Sequence, residues 1–184
     1  MYIQKQTYRC LSLLFVFIIV SCNSDRQKLT KDMQSFLSET VSIPERMVVV
    51  ESGHLSEVKT LLGEPKLVRY FGPDACSDCA ITHIFENEPL YDLEKEVGGF
   101  SVMMVFSPKE ENVPHVTEKL LSCDFPHRVY LDTEGKLHEL NVPNRNDKFR
   151  CFLIDFKGKP VYVGNPCNSE KLRQLFFEAL SVIK

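Results

Sequence analysis

The run FSVMMVFSP, residues 100–108, is apolar at nearly every position and not merely at alternate ones. A strand that is hydrophobic on both sides must be covered on both, which is the condition of a central parallel strand flanked by helices. The neighbouring segments can supply that cover. RMVVVE (46–51) and KLVRYF (66–71) read as further strands. LTKDMQSFLSET sets Leu29, Met33, Phe36 and Leu37 at helical spacing. CAITHIFENEPLYDLEKEV is also helical, with Pro89 forcing a kink or break, and VPHVTEKLL is a short helix with Pro114 suited to its first turn. SEVKTLLGEP reads as one or two helical turns stopped by Gly63 and Pro65. HRVYLDTEGKLHEL reads as two strand-like runs around Asp132 to Gly135, and FRCFLIDFKGKPVYVG as a hairpin over Lys157-Gly158. The closing NSEKLRQLFFEALSVIK is an amphipathic helix capped by Asn168 or Ser169, with Leu172, Leu175, Phe176, Ala179 and Leu180 as its buried stripe. Strands alternating with helices imply an α/β fold of three layers, a central mixed sheet with helices on both faces.

The start of the chain addresses the compartment. Lys5 and Arg9 precede CLSLLFVFIIVSC, in which the apolar stretch from Cys10 to Val20 is about half the 20 residues a membrane-spanning helix needs. A basic start, a short apolar middle and small residues at the end are the signature of a secretion signal. IIVSCNS resembles a lipoprotein cleavage site, which implies a signal peptide over 1–21 and a lipidated Cys22 as the first mature residue. Residues 22–30 then read as the lipidated cysteine and a polar tether, and 31–184 as one globular domain. The expected location is extracytoplasmic: periplasmic, held to a membrane by the lipid of a Gram-negative-type bacterium, where disulfides are allowed. The net charge of −3 offers no basic face for nucleic acid.

YFGPDACSDCAITH, residues 70–83, places Cys76 and Cys79 where a strand gives way to a helix. A strand, a Cys-x-x-Cys pair opening a helix, a βαβ unit and a closing β-β-α resemble the thioredoxin superfamily. FLIDFKGKPVYVGNP and the preceding RVYLDTEGKLHELNVP are similar to segments of its periplasmic, membrane-tethered redoxin-type members. The resemblance spans roughly Lys66 to Lys184 and implies the thioredoxin-like fold. Two features of the family are replaced here. Ala75 stands where an aromatic residue, often Trp, precedes the first cysteine, and the chain has no Trp. Phe149 stands where the family carries a cis-proline facing the active pair, and the nearest proline, Pro143, lies six residues earlier in NVPNRNDK. Either the loop carries Pro143 into an equivalent place or the cis-proline is lost, and its loss argues against a generalist substrate range.

The chemistry of the pair follows from its spacing. Backbone N–H groups at a helix start stabilise the thiolate of Cys76, the species that attacks a disulfide. Cys79 lies one turn on, close enough to resolve the mixed disulfide, and is expected to be the more buried of the two. Asp74 and Asp78 flank Cys76, with no Lys or Arg within five residues of it in sequence. Nearby negative charge opposes the thiolate, so the couple should lean towards reductant. His83 falls on the helix face of Cys79, either as a proton shuttle or as an ordinary packed or surface histidine. Cys151 lies inside the FRCFLID strand, where it reads as a small buried hydrophobe and, less readily, as a third redox thiol.

Other uses of the cysteines stand beside this one. A zinc site would need two more ligands, and Cys123 with His127 has tolerable spacing. A structural disulfide over so short a loop gains little closure entropy. Cys123, Cys151 and Cys167 could supply one further disulfide and one leftover thiol. A peroxidase of the peroxiredoxin type would need a Thr three and a Pro seven residues before Cys76, where Pro73 and Arg69 stand. The expected function is thiol–disulfide exchange with extracytoplasmic protein thiols. Cys76 and Cys79 carry it, protein clients and an upstream membrane or periplasmic reductase are the partners, and no diffusible cofactor or metal is implied. The alternative is a non-catalytic thioredoxin-fold binding module with a structural disulfide or a metal-bound dithiol.

Overall fold

The computed structural model describes residues 25–60, 62–137 and 149–183. Two units divide the chain, Met1–Phe36 and Leu37–Lys184. The described part of the first is helical and belongs to α1, residues 25–38, so positions 25–30 of the expected tether are already helix. The expected signal peptide, Cys22 and Pro143 lie outside the described residues. No described helix is long and apolar enough to cross a membrane.

The second unit is built on seven strands: β1 (Arg46–Glu51), β2 (His54–Lys59), β3 (Lys66–Phe71), β4 (Ser101–Phe106), β5 (Val129–Leu131), β6 (Cys151–Ile154) and β7 (Pro160–Val163). Their order across the sheet is β2-β1-β5-β4-β3-β6-β7. β3 pairs parallel with β4 and β4 with β5, whereas β6 lies antiparallel to both β3 and β7. The helices described over their full length after α1 are α2 (Ser77–Thr82), α3 (Glu88–Val97), α4 (Val113–Ser122) and α5 (Glu170–Val182). Pro89 and Pro114 each sit in the first turn of a helix, α3 and α4, where the missing N–H costs nothing. The break expected near Pro89 appears just upstream as a 3-10 turn, Ile84–Asn87.

The β3-α-β4 crossover, the antiparallel β6–β7 hairpin and the closing α5 make this a thioredoxin-like α/β fold. β3, β4 and β5 step across the sheet in one direction, and parallel crossovers are right-handed, so α3 and α4 fall on the same face. Leu90 and Leu93 of α3, Val116 and Leu120 of α4, and Phe176 and Leu180 of α5 share one core with Leu67, Met104, Phe106 and Leu153 of the sheet. Residues of the opposite parity, among them Val49, Val68, Tyr70, Met103, Val105 and Phe152, are buried as well. The sheet is therefore covered on both faces, and the continuous apolar run of β4 is explained by it.

Three local expectations are corrected. Ser56–Lys59, read as helical, form β2, an antiparallel partner of β1 along its whole length. Ser52 and Gly53 both adopt positive φ, 50° and 73°, and this reverses the chain with the twist that a two-residue hairpin requires. As the edge strand, β2 is almost entirely exposed and carries charges such as Glu57 and Lys59, so it lacks the alternation that marks a half-buried strand. The second run of HRVYLDTEGKLHEL is helical where it is described, at Lys136–Leu137. Buried Asp132 turns it, since its carboxylate accepts the N–H groups of Lys136 and Leu137 at 3.0 and 2.8 Å and the Ser107 hydroxyl at 2.8 Å. In α5, Ser169 is the cap, but only Phe176 and Leu180 of the expected stripe are fully buried, and Leu175 is 44% exposed. A helix resting on a sheet edge buries a narrower stripe than one enclosed by other helices.

Phe176→Ala should cost roughly 3–5 kcal/mol of unfolding free energy, whereas Leu175→Ala should stay within about 0.5 kcal/mol. Urea denaturation of the two variants separates the buried position from the exposed one.

Candidate functional site

β3 is an interior strand of the sheet, paired on both edges, and it ends at Phe71. The chain then turns through Gly72–Ala75, closed by the Ala75 N–H donating to the Gly72 carbonyl at 3.0 Å. Cys76 is the N-cap of α2: its extended backbone precedes the helix, its Sγ accepts from the Cys79 N–H at 3.3 Å, and its carbonyl accepts from the Ala80 N–H at 3.0 Å. A sulfur in this position receives the free amide of a helix start, which favours its anionic form. Cys76 and Cys79 are disulfide-bonded, with Cα atoms 5.3 Å apart.

Both cysteines are exposed. α2 is only six residues long and turns just Ile81 into the core. Two residues of helix are a rotation of about 200°, so Cys79 faces away from the side that Ile81 buries.

The charges around the pair differ from their sequence neighbourhood. Asp74 is exposed and makes no ion pair among the described residues. Asp78 does: its Oδ1 lies 2.9 Å from Lys119 Nζ and 2.9 Å from His115 Nε2, both on α4. The Lys119 and His115 hydrogen bonds hold its carboxyl below the usual range. The cation missing from the local sequence, Lys119, is thus supplied by a helix about forty residues away. His83 is a surface histidine whose Nδ1 pairs with Glu86 Oε1 at 2.9 Å, while its backbone N–H closes α2 on the Cys79 carbonyl at 3.1 Å.

Phe149 is buried and leads into β6, and the adjacent Arg150 carbonyl accepts from the Tyr70 N–H at 2.8 Å. The segment at the family's cis-proline position therefore runs beside the end of β3 that delivers the cysteines. No peptide bond among the described residues is cis. Below the site, the half-buried Arg69 guanidinium stacks over Phe71, 4.8 Å from the ring centre, and its Nε donates to Asn87 Oδ1 at 3.3 Å. Asn87 is itself buried and donates to the Ile84 carbonyl at 3.0 Å, so Arg69 ties the turn between α2 and α3 to the sheet. Neither Arg69–Asn87 nor Lys119–Asp78 carries a sequence signal, because each joins residues from separate elements.

Cys151 sits opposite Arg69 in the β3–β6 ladder and is buried, 4% exposed. Burial pushes its thiol up to about 12, although the Arg69 charge acts the other way. It is the small buried hydrophobe of the simpler reading. Cys123 is half-buried, with its Sγ donating to the Leu120 carbonyl at 3.2 Å, and Cys167 is exposed. All three are free thiols, so the second disulfide is absent among the described residues. His127 lies flat against Tyr91, centroids 4.0 Å apart, and no three His, Cys, Asp or Glu side chains among the described residues come together as metal ligands.

No protein-family model matches the chain, and no curated protein is similar to it at a significant level. Solved structures with a similar course include an uncharacterized thioredoxin-like protein from Porphyromonas gingivalis, 17% identical, covering 78% of this chain and 93% of that one, with a TM-score of 0.47. The thioredoxin domain of a thiol-disulfide oxidoreductase from Bacteroides vulgatus is 17% identical, with 79% and 99% covered and a TM-score of 0.47. A putative thiol:disulfide interchange protein DsbE from Chlorobium tepidum is 16% identical, with 77% and 98% covered and a TM-score of 0.48. The thioredoxin-like description of this chain stands on its own strand order and on the place of the Cys pair.

After chemical reduction, Cys76 and Cys79 should alkylate in the native protein while Cys151 does not. A thiol raised from 9 to about 12 holds about a thousandfold less thiolate at neutral pH, and burial adds a steric block. Mass spectrometry of the alkylated peptides before and after denaturation reads the difference.

Proposed function

We propose that the protein is a thiol–disulfide oxidoreductase acting on protein thiols outside the cytoplasm. The observation that carries this reading is the exposed Cys76–Cys79 disulfide at the junction of β3 and α2. A disulfide kept only for structure would be expected under the surface, and this one is open to a client chain. In the reduced enzyme the Cys76 thiolate attacks one sulfur of a client disulfide. The client's S–S bond breaks, one client thiolate leaves, and a Cys76–client mixed disulfide remains. The Cys79 thiolate then attacks Cys76 Sγ, the second client sulfur leaves as thiolate, and both client thiolates take up protons. Two electrons have passed to the client and the enzyme holds its disulfide. An upstream membrane or periplasmic reductase returns the pair to the dithiol.

Asp74 beside Cys76 is the uncompensated charge at the site and supports a reductant-leaning couple. The signal-like residues 1–21 and Cys22 support an extracytoplasmic, lipid-anchored protein in a Gram-negative-type envelope. Buried Phe149 at the cis-proline position supports a narrower client range than that of a general thioredoxin.

Equilibration in graded glutathione buffers, with acid trapping and mass spectrometry, tests the activity. A reversible two-electron transition between roughly −300 and −180 mV that disappears in Cys76→Ser is the expected result. Cys79→Ser should accumulate a mixed disulfide with a disulfide-bearing client. A pair that stays oxidised through the whole range overturns the reading, and a potential more oxidising than about −180 mV removes the reductant lean. Labelling cells with radioactive palmitate tests the anchor: incorporation should be lost in Cys22→Ser, and a wild-type chain that takes up no label refutes lipidation.

A further inference from the structure

We propose that Lys119 and His115 of α4 are positioning residues for disulfide exchange, drawing the Asp78 carboxylate away from the Cys76–Cys79 sulfurs. The proposal rests on the exchange reading above and names residues which that reading does not use.

Asp78 occupies the second position between the two cysteines, on the first turn of α2, and its carboxylate is taken up by α4. One of its oxygens, Oδ1, receives both Lys119 Nζ and His115 Nε2, each at 2.9 Å. His115 and Lys119 are four residues apart and therefore share one face of α4, the helix that α2 packs against. Two donors from successive turns, converging on one oxygen, define a direction for the side chain that a single flexible lysine would not.

Stability does not account for the cluster. All three side chains are 40–54% exposed, and ion pairs so open to water contribute little to folding. Their position gives them another consequence. A carboxylate within a few ångströms of a sulfur opposes its ionisation, and the opposition weakens as the carboxylate is drawn off or neutralised. Of the two acidic groups that flank Cys76, Asp74 in the preceding loop makes no ion pair among the described residues, and Asp78 is the one that α4 holds. Arg150 lies near the same end of β3, where it and Asp74 act in opposite senses on the Tyr70 hydroxyl.

If Lys119 acted only as a distant positive charge, its effect on Cys76 would be the same whether or not Asp78 were present. If it positions Asp78, the two effects are coupled, and a double-mutant cycle separates the cases. The test uses the full chain with Cys79→Ser as background, chemically reduced, and reads the rate of iodoacetamide alkylation at Cys76 against pH. Lys119→Met should raise the Cys76 pKa and slow alkylation at neutral pH by about three- to tenfold, up to about one pKa unit. In the Asp78→Asn background the same substitution should change the rate by less than about twofold. His115→Gln should act in the same direction as Lys119→Met and also lose its effect with Asp78→Asn. Equal effects of Lys119→Met in both backgrounds, or no effect in either, would overturn the proposal. Because the protein is reduced chemically, the cycle is readable even if the wild-type pair proves inert in glutathione buffers. Inertness there refutes the exchange function, and additivity in the cycle refutes the positioning role.

Discussion

The central placement of β3 is the constraint on which the rest depends. Its backbone is paired with β4 on one edge and β6 on the other, and Leu67 and Val68 are buried on its two faces. A strand held on four sides has little freedom along its axis, and residues just beyond its end inherit that rigidity. The turn after Phe71 and the single helical segment α2 are short enough to present Cys76 and Cys79 at one place on the surface, although almost nothing of α2 itself is buried. Arg69 extends the same logic beneath the site: its hydrogen bond to Asn87 anchors the turn between α2 and α3 to the sheet. Site geometry here is a property of the strand more than of the helix.

Rigidity beneath and exposure above suit the proposed chemistry. A client disulfide has to reach a sulfur in line with its own S–S bond, which needs an open approach. The thiolate must also be stabilised without being buried, since burial raises a thiol, as it does for Cys151 at the start of β6. The two kinds of cysteine in this molecule illustrate the difference. Cys76 is at a helix start with an amide directed at its sulfur, whereas Cys151 is enclosed by the core and serves as packing.

Much of the architecture was legible from local patterns. The unbroken apolar run of β4 required cover on both faces, Pro89 marked a break in the helical run after the cysteines, Pro114 marked a helix start, and Lys157-Gly158 marked the hairpin between β6 and β7. The failures share a cause. β2 was misread because an edge strand buries nothing and so shows no alternation; its identity comes from the partner beside it. Lys136–Leu137 turned helical because the Asp132 carboxylate, five residues back, takes up the amide groups. Leu175 was placed in a stripe that the sheet edge is too narrow to cover.

The amino-acid order by itself determined the α/β class, the place of the Cys pair between a strand and a helix, and the three-residue spacing that allows a disulfide. These are carried by contacts between near neighbours in the chain, and periodicity records them. Only the tertiary structure decided the electrostatics of the site. Asp78 stands in an acidic stretch of sequence, yet in space its carboxylate is paired with Lys119 and hydrogen-bonded to His115, because α4 packs on α2. Charge acts through distance in three dimensions, and a spacing of about forty residues along the chain conceals a separation of 2.9 Å.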